Sequence, residues 1–337
     1  MKWLLVFFAF IGSLHLHAQD KDKLFATADS LSNLGEYEKS VVLFEQLCKA
    51  EPNNATYLSY AGIAYFRMEN FEKAKEKFRL AVLYSEDNET HLSNLAAAYS
   101  NLDENQKAYE YAVKAMQVKP TSLTVYNAMA NANNIHKYEE SFRIHKQYID
   151  FATENKFNLV LGLAHYHGRE FEKAASYFET FLNQYGSEDE LMKQRENAQS
   201  YMFNSYIAQL MNQIVFQKGD AESLEARLRA LRNEEYSDNL SQRYEMRIIL
   251  LMMLAQLLES KERVFAKELL LSRKPERISV SMQELDEKLN ETNEQLKLVF
   301  NEVIKKENPT AEDYRQFLAS SKMMDLFFEK LISGNIL

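Results

Sequence analysis

Apolar and polar positions along the first half of the chain alternate with the period of an amphipathic helix, in short blocks separated by turn-forming residues. The blocks share a phrase in which a small residue is followed, four positions later, by an aromatic one: Ser40 with Phe44, Ala74 with Phe78, and Ala174 with Phe178. Ser40, Ala74 and Ala108 follow one another at a constant interval of about 34 residues. The pattern predicts a repeat built from helix pairs.

The content of each repeat points to a known family. The second repeat carries Leu58, Gly62 and Tyr65 in its first helix and Ala74 with Phe78 in its second. Prolines close the first and third repeats. This period and pattern resemble the tetratricopeptide repeat (TPR), over 21–54, 55–88, 89–122, 123–154 and 155–188. The resemblance implies an all-α, right-handed solenoid over 19–188 with a concave inner surface.

The fourth repeat departs most from the family pattern. His145 takes the place of the usual phenylalanine, and Ala130 is aligned with the small residue of the first helix. One residue is missing from this repeat, and the alignment places the deletion between its two helices.

Composition agrees with a helical protein. The chain has 337 residues but only 8 Gly and 4 Pro, which is too few turn residues for a many-stranded β fold. A single cysteine, Cys48, excludes an intramolecular disulfide framework and a cysteine-based metal site. The formal charge of −9, with no long basic stretch, argues against nucleic acid as the partner.

The N-terminus predicts export. Lys2 precedes a short apolar stretch, and Ala18 supplies a small residue at its end, as in a secretory signal peptide over 1–18. A retained membrane anchor or a buried N-terminal helix is the alternative. We expect a periplasmic or extracellular location at the cell envelope, with no membrane span after cleavage.

The second half is helical in pattern but has no family signature. Residues 189–219 predict a degenerate repeat or capping helix, and 220–337 a C-terminal helical domain. That domain contains a heptad-like helix over 280–306, whose apolar seam runs from 282 to 303. The seam predicts either a homo-oligomer or an intramolecular hairpin with the last helix.

Catalytic motifs are absent from the sequence. It contains no H-E-x-x-H, G-x-S-x-G or P-loop pattern. His165 and His167 are two positions apart on a predicted helix, so they point in different directions and do not form a metal site together. We therefore expect no enzyme activity, no cofactor and no metal.

The remaining candidate site is the concave surface that the resemblance implies. Asparagine is a poor helix former, yet several asparagines cluster there, and an amide offers both a donor and an acceptor to a peptide backbone. The predicted groove residues are Phe25, Ser59, Phe66, Arg67, Ser93, Asn94, Asn101, Asn127, Asn131, Asn134 and Tyr166. The alternative is that asparagine is merely tolerated on an exposed helix face and that the cluster has no role in binding.

These observations predict a non-catalytic scaffold or assembly factor of the cell envelope that binds a protein or peptide segment in the groove. The alternative is a sensory or inhibitory module, for example one that neutralises a toxin or an enzyme through the C-terminal helical domain. A basic patch over 261–277 and the heptad seam motivate that alternative, because the repeat pattern explains neither.

Overall fold

The computed structural model describes residues 20–184, 192–216 and 305–319, together with single positions at 251, 252, 254, 255, 258, 287, 290, 294, 297, 298 and 301. Every regular element within this part of the chain is helical, so the all-α class is confirmed. The helices are α1 (20–33), α2 (Tyr37–Ala50), α3 (Ala55–Arg67), α4 (Phe71–Leu83), α5 (Glu89–Asn101), α6 (Asn105–Val118), α7 (Ser122–Asn134), α8 (Tyr138–Gln147), α9 (Lys156–His167), α10 (Phe171–Gln184), α11 (Met192–Phe216) and α12 (Ala311–Ala319), with a 3₁₀ turn at Ile149–Phe151.

The chain divides into two compact units, Met1–Val160 and Leu161–Leu337. In the first unit each helix packs against the next, from α2 through α8. In the second unit α10 packs against α11, and α11 contacts α12.

Side-chain caps set where the first helices begin. The Asn54 side chain accepts hydrogen bonds from the backbone N–H groups of Thr56 and Tyr57, and the Asn88 side chain does the same one repeat later. Thr121 forms a capping box with Thr124 at the start of α7. Each cap satisfies backbone donors that the helix leaves unpaired, at about 1 kcal/mol per cap.

A residue in the left-handed conformation ends the turn inside each helix pair. These residues are Gly35, Glu69, Asp103, His136 and Arg169, with φ between 57° and 79°. The first two intervals between them equal the predicted period of about 34 residues, and the next two are each one position shorter. The backbone therefore repeats with the period that the sequence predicts, shortened by one position from the fourth pair onward.

The position of the missing residue corrects the sequence alignment. Among the N-cap residues, the interval from Asn88 to Thr121 is one position shorter than the interval from Asn54 to Asn88. The distance along the chain from the start of α3, α5 or α7 to the left-handed turn residue that follows is the same in all three pairs. The deletion therefore lies before α7 and not between α7 and α8. The cap at Thr121 starts the helix one position earlier than the alignment assumed.

Close approach within a pair depends on glycine opposite phenylalanine. A Cβ built on Gly62 would lie 2.6 Å from the ring of Phe78, and one built on Gly162 would lie 2.7 Å from the ring of Phe178. In the fourth pair the corrected register puts Met129, which is fully buried, in the place of this glycine.

The core of the first pair is aromatic. The Phe25 ring lies 5.7 Å from that of Phe44 and 4.8 Å from that of Tyr60, between centroids. Cys48 is buried in the same cluster. Burial raises the pKa of its thiol to about 11, so the sulfur stays protonated at neutral pH.

In the second unit, Tyr201 of α11 is surrounded by rings. Its centroid lies 4.9 Å from that of Tyr166 and 5.8 Å from that of Phe178. Near the end of the described chain, the Tyr314 hydroxyl donates to the side-chain oxygen of Asn301 at 3.2 Å, and Lys306 pairs with Asp313. These contacts span the connection between residue 301 and α12, and the choice between a hairpin and a homo-oligomer stays a prediction.

Several sequence predictions lie outside the described residues. They are the signal peptide over 1–18, the basic patch over 261–277 and the apolar seam between 282 and 303. The alternative function through the C-terminal domain therefore stays a prediction. Among the helices that the structure describes, none combines the length and the apolar character that a membrane span requires.

Candidate functional site

The first helices of successive pairs form a layer of their own. Besides packing on their second helices, α3 contacts α5, and α5 contacts α7. Packed helices lie about 8–10 Å apart, so equivalent residues on α3, α5 and α7 recur at about that interval. We call the solvent-facing residues of this layer the first-helix surface: Phe66, Arg67, Ser93, Asn94, Asn101, Asn127 and Asn134.

Two columns of amides run along this surface. Asn94 and Asn127 occupy equivalent positions on α5 and α7, and both are half-buried. Asn101 and Asn134 are equivalent at the ends of the same helices, and both are exposed. Arg67 occupies the equivalent position on α3, where it is exposed and forms no ion pair with the described residues.

The hydrogen bonds of the amides leave acceptors for a partner. The Asn101 amide nitrogen donates to the Ala97 carbonyl at 2.9 Å, so its side-chain oxygen is the atom that faces a ligand. The Asn94 nitrogen donates to the hydroxyl of Ser59 at 3.4 Å. Asn134 makes no side-chain hydrogen bond within the described part of the chain, so both of its polar atoms are available.

Two of the predicted groove residues in the first unit are buried, so the prediction that they lie on the groove surface is wrong. Asn131 is 8% exposed, and its nitrogen donates to the Asn127 carbonyl at 2.8 Å. The one-position shift before α7 places it where Ala98 stands on α5, facing the interior. Ser59 is also buried, at 4% exposure, and serves as the acceptor for Asn94.

The predicted aromatic anchors are mostly packed inside the protein. Tyr166 is only 6% exposed because its ring packs against those of Phe171 and Tyr201, so it is not an anchor on the surface. Phe25 is half-buried and already packs against the hydrophobic core cluster that contains Phe44. Phe66 is half-buried against Phe71, with 5.2 Å between ring centroids, and it alone of the three belongs to the first-helix surface.

One buried amide was missed by the sequence prediction. The Asn133 nitrogen donates to the Val160 carbonyl at 2.9 Å, and Asn133 is 8% exposed. In the corrected register Asn133 is equivalent to Phe66 on α3. The Pro120-Thr121 pair, a helix-start pattern, carries the information that would have aligned α7 correctly.

A comparison with protein-family models matches one of the helix pairs. The model described as tetratricopeptide repeat matches residues 24–54, which cover most of α1 and all of α2. The same left-handed turn and helix pairing recur along the chain with a period of about 34 residues. The first helix pair therefore matches the tetratricopeptide repeat, and the pairs that follow share its turn and its packing. We call the first unit, which contains this match, the TPR unit.

Several solved structures resemble the chain at low identity. A crystal structure of MamA is 18% identical, with 46% of this chain and 92% of that one covered and a TM-score of 0.43. YrrB, described as a TPR protein with an unusual peptide-binding site, is 17% identical over 48% and 84%, with a TM-score of 0.42. PilF of Pseudomonas aeruginosa is 16% identical over 63% and 91%, with a TM-score of 0.45. No curated protein matches the sequence.

The second helices of the pairs carry the charged network. Lys77 pairs with Glu45 of the preceding repeat at 2.8 Å, and Lys75 reaches Glu104 of the following one at 2.8 Å. Lys107 pairs with the same Glu104 carboxylate. These pairs join neighbouring repeats. Within the described residues, no three His, Cys, Asp or Glu side chains converge to hold a metal ion.

Acid is expected to destabilise the TPR unit. Hydrogen bonds from lysine lower the pKa of Glu51, Glu89 and Glu104, and burial lowers the pKa of His91. A folded-state pKa below the unfolded value gives stability that is present above the unfolded value and is lost as pH falls through the folded one. Unfolded His titrates at about 6.5 and Glu at about 4.3. The urea midpoint should therefore begin to fall below about pH 6.5, and fall more steeply below about pH 4.5.

The variant Glu104→Gln isolates one contribution to this acid sensitivity. Because its amide does not titrate, the urea midpoint should change less between pH 5 and pH 3 than in the unmodified protein. A midpoint that is constant or rises on acidification would contradict the assignment of these pKa shifts.

Proposed function

We propose that this protein is an exported, non-catalytic scaffold whose first-helix surface holds an extended segment of a partner polypeptide. The observation that carries the proposal is the pair of amide columns formed by Asn94 with Asn127 and Asn101 with Asn134. Their spacing by one repeat on α5 and α7 supports a periodic ligand.

An extended polypeptide has the matching period. One turn of a polyproline II segment contains three residues and spans about 9.3 Å, close to the 8–10 Å between packed helices, so every third residue faces the same side. Each amide side chain carries one acceptor and two donors, so it pairs with backbone N–H and C=O groups of any sequence. A row of amides one repeat apart therefore fits a peptide backbone at every third residue.

Side chains around the columns add selectivity. Arg67 is the exposed cation of the surface and has no ion-pair partner among the described residues, so it favours a carboxylate on the bound segment. Phe66 beside it presents part of a ring to an apolar side chain. The mechanism is the positioning of a partner, which requires no reacting group.

Export is part of the proposal and rests on the leader-like sequence over 1–18. Cell fractionation followed by N-terminal sequencing tests it. The expected mature chain begins near Gln19 and is recovered outside the cytoplasm. A full-length chain that remains in the cytoplasm would remove export from the proposal.

Site-specific photo-crosslinking tests the surface itself. A photoreactive residue in place of Asn101 or Asn134 should crosslink to a partner in cells, because both positions are exposed on the first helices. The same residue in place of Gln46 or Gln117, exposed amides on second helices, provides the matched control. Equal crosslinking at all four positions would show that the first-helix surface is not the binding surface.

Purified variants make the test quantitative. Asn101→Ala/Asn134→Ala should weaken binding of the crosslinked partner about tenfold, as expected for two lost hydrogen bonds of about 0.5–1.5 kcal/mol each. Gln46→Ala/Gln117→Ala should leave the affinity unchanged. Circular dichroism confirms that both variants remain folded.

A further inference from the structure

Exposed apolar side chains in the TPR unit are concentrated on one edge. Eight large hydrophobic residues between 20 and 160 are exposed, and Leu34 and Val42 are scattered elsewhere. The other six lie at the connections between repeats, and we call them the connection edge: Leu83, Tyr84, Val118, Leu123, Ile149 and Phe151.

Chain topology explains why these six residues share an edge. The two helices of a repeat are antiparallel, so every second helix ends where the next first helix begins. The connections 84–88, 119–121 and 148–155 therefore lie at the same end of the repeats. The turns inside each pair, with Glu69 and Asp103, lie at the opposite end.

The exposed residues recur with the repeat. Tyr84, Val118 and Phe151 follow one another at the repeat interval and are 43%, 42% and 40% exposed. Leu83 is 66% exposed beside Tyr84, and Leu123 is 57% exposed on the first turn of α7. The result is a row of apolar side chains that recurs once per repeat, and the first helices of these repeats pack against one another at about 8–10 Å.

Charge along this row is one-sided. The three connections contain Glu86, Asp87, Asp150 and Glu154 against Lys119 alone. Lys119 pairs with Glu89, and Glu154 pairs with Lys156. Glu86, Asp87 and Asp150 are exposed and make no ion pair within the described residues, so carboxylates without a counter-charge flank the apolar row.

We propose that the connection edge is a second docking surface, and that its occupant is a basic amphipathic helix of a partner protein. Seven residues of an α-helix advance about 10.5 Å, so apolar side chains at i, i+7 and i+14 meet successive members of the row. Lysine or arginine beside this stripe then lies against Glu86, Asp87 and Asp150. Charge complementarity selects a basic helix over an acidic one.

This surface is separate from the first-helix surface. The amides of α5 and α7 lie along the helices, whereas the connection edge consists of helix ends and the segments that join repeats. One partner segment in the groove and a helix on the edge are therefore compatible in a single scaffold. The proposal does not depend on the amide columns.

A designed peptide pair tests the chemistry directly. The probe is a helical peptide of three heptads with leucine along one heptad stripe and lysine at the flanking positions, and the matched peptide has glutamate in place of lysine. Fluorescence anisotropy with the full chain should show binding of the lysine peptide at least tenfold tighter than that of the glutamate peptide. Equal affinities would overturn the proposal.

Variants locate the binding. Leu83→Ser/Leu123→Ser/Ile149→Ser should weaken binding of the lysine peptide at least tenfold. The control Leu34→Ser/Val42→Ser changes exposed apolar residues elsewhere and should leave the affinity unchanged. Glu86→Gln/Asp87→Asn/Asp150→Asn should reduce both the affinity and its dependence on salt. Equal losses in the edge and control variants would refute the site.

A lipid surface is the competing occupant. Phosphatidylcholine vesicles mixed with the full chain test it by flotation. Binding to vesicles that is lost in the Leu83→Ser/Leu123→Ser/Ile149→Ser variant, without binding of the lysine peptide, would overturn the proposal in favour of a membrane-facing edge.

Discussion

Replacing Phe78 with alanine is expected to lower the free energy of unfolding of the TPR unit by about 3–5 kcal/mol. The ring is 2% exposed and lies against Gly62 of its own repeat. It belongs to a core cluster that also contains Leu95 and Ala98 of the next repeat. Its removal therefore leaves a cavity where two repeats meet, and both lose contacts.

Urea unfolding followed by circular dichroism measures this loss. Phe66→Ala is the matched control, since Phe66 is a phenylalanine of the same repeat that is half-buried at the surface, and its loss should be less than half as large. Hydrogen exchange should show faster opening of α4 and α5 together in Phe78→Ala. Equal effects of the two substitutions would contradict the central packing role of Phe78.

Gly62→Ala is expected to destabilise the protein by up to about 2 kcal/mol, although alanine is the better helix former by about 1 kcal/mol. The added Cβ would lie 2.6 Å from two carbons of the Phe78 ring. That ring is enclosed in the core, so α3 and α4 must separate to relieve the contact. Overpacking of this kind costs about 1–3 kcal/mol before the gain in helix propensity is subtracted.

Two further variants distinguish overpacking from a general effect of substitution. Gly62→Ala/Phe78→Leu should lose less stability than the sum of the two single changes, because the smaller side chain makes room for the Cβ. Asn101→Ala, an exposed helix position, should leave stability unchanged or slightly raised. A Gly62→Ala protein more stable than the parent would show that the helices do not approach as closely as described.

Local chemistry made the helix pairs predictable. The pairing of Gly62 with Phe78 recurs at the same sequence separation in Gly162 and Phe178, and each pair forms a close contact between its helices. The class of the fold, the period and the resemblance to the tetratricopeptide repeat follow from such short-range patterns. They recur because a single helix pair does not bury its apolar face without a neighbour.

The surface was predicted less well, and the reason is geometric. A shift of one position turns a helix by about 100°, so the deletion before α7 moved Asn131 from the expected groove into the interior. The same shift moved Asn134 to the position that Arg67 and Asn101 occupy on α3 and α5, so it remained exposed. Tyr166 followed the family register correctly but is covered by Tyr201 of α11, a contact between distant parts of the sequence.

The sequence by itself determined the helical class, the repeat period and the partition of small and large core residues, because these depend on spacing within one helix pair. Only the tertiary structure decided which amides reach solvent, which aromatic rings are already covered, and that six apolar residues from three connections share one edge. Those properties depend on helix rotation and on the stacking of repeats. When the spacing between two N-caps changes by one residue, both the rotation of the helix and its stacking on the next repeat change.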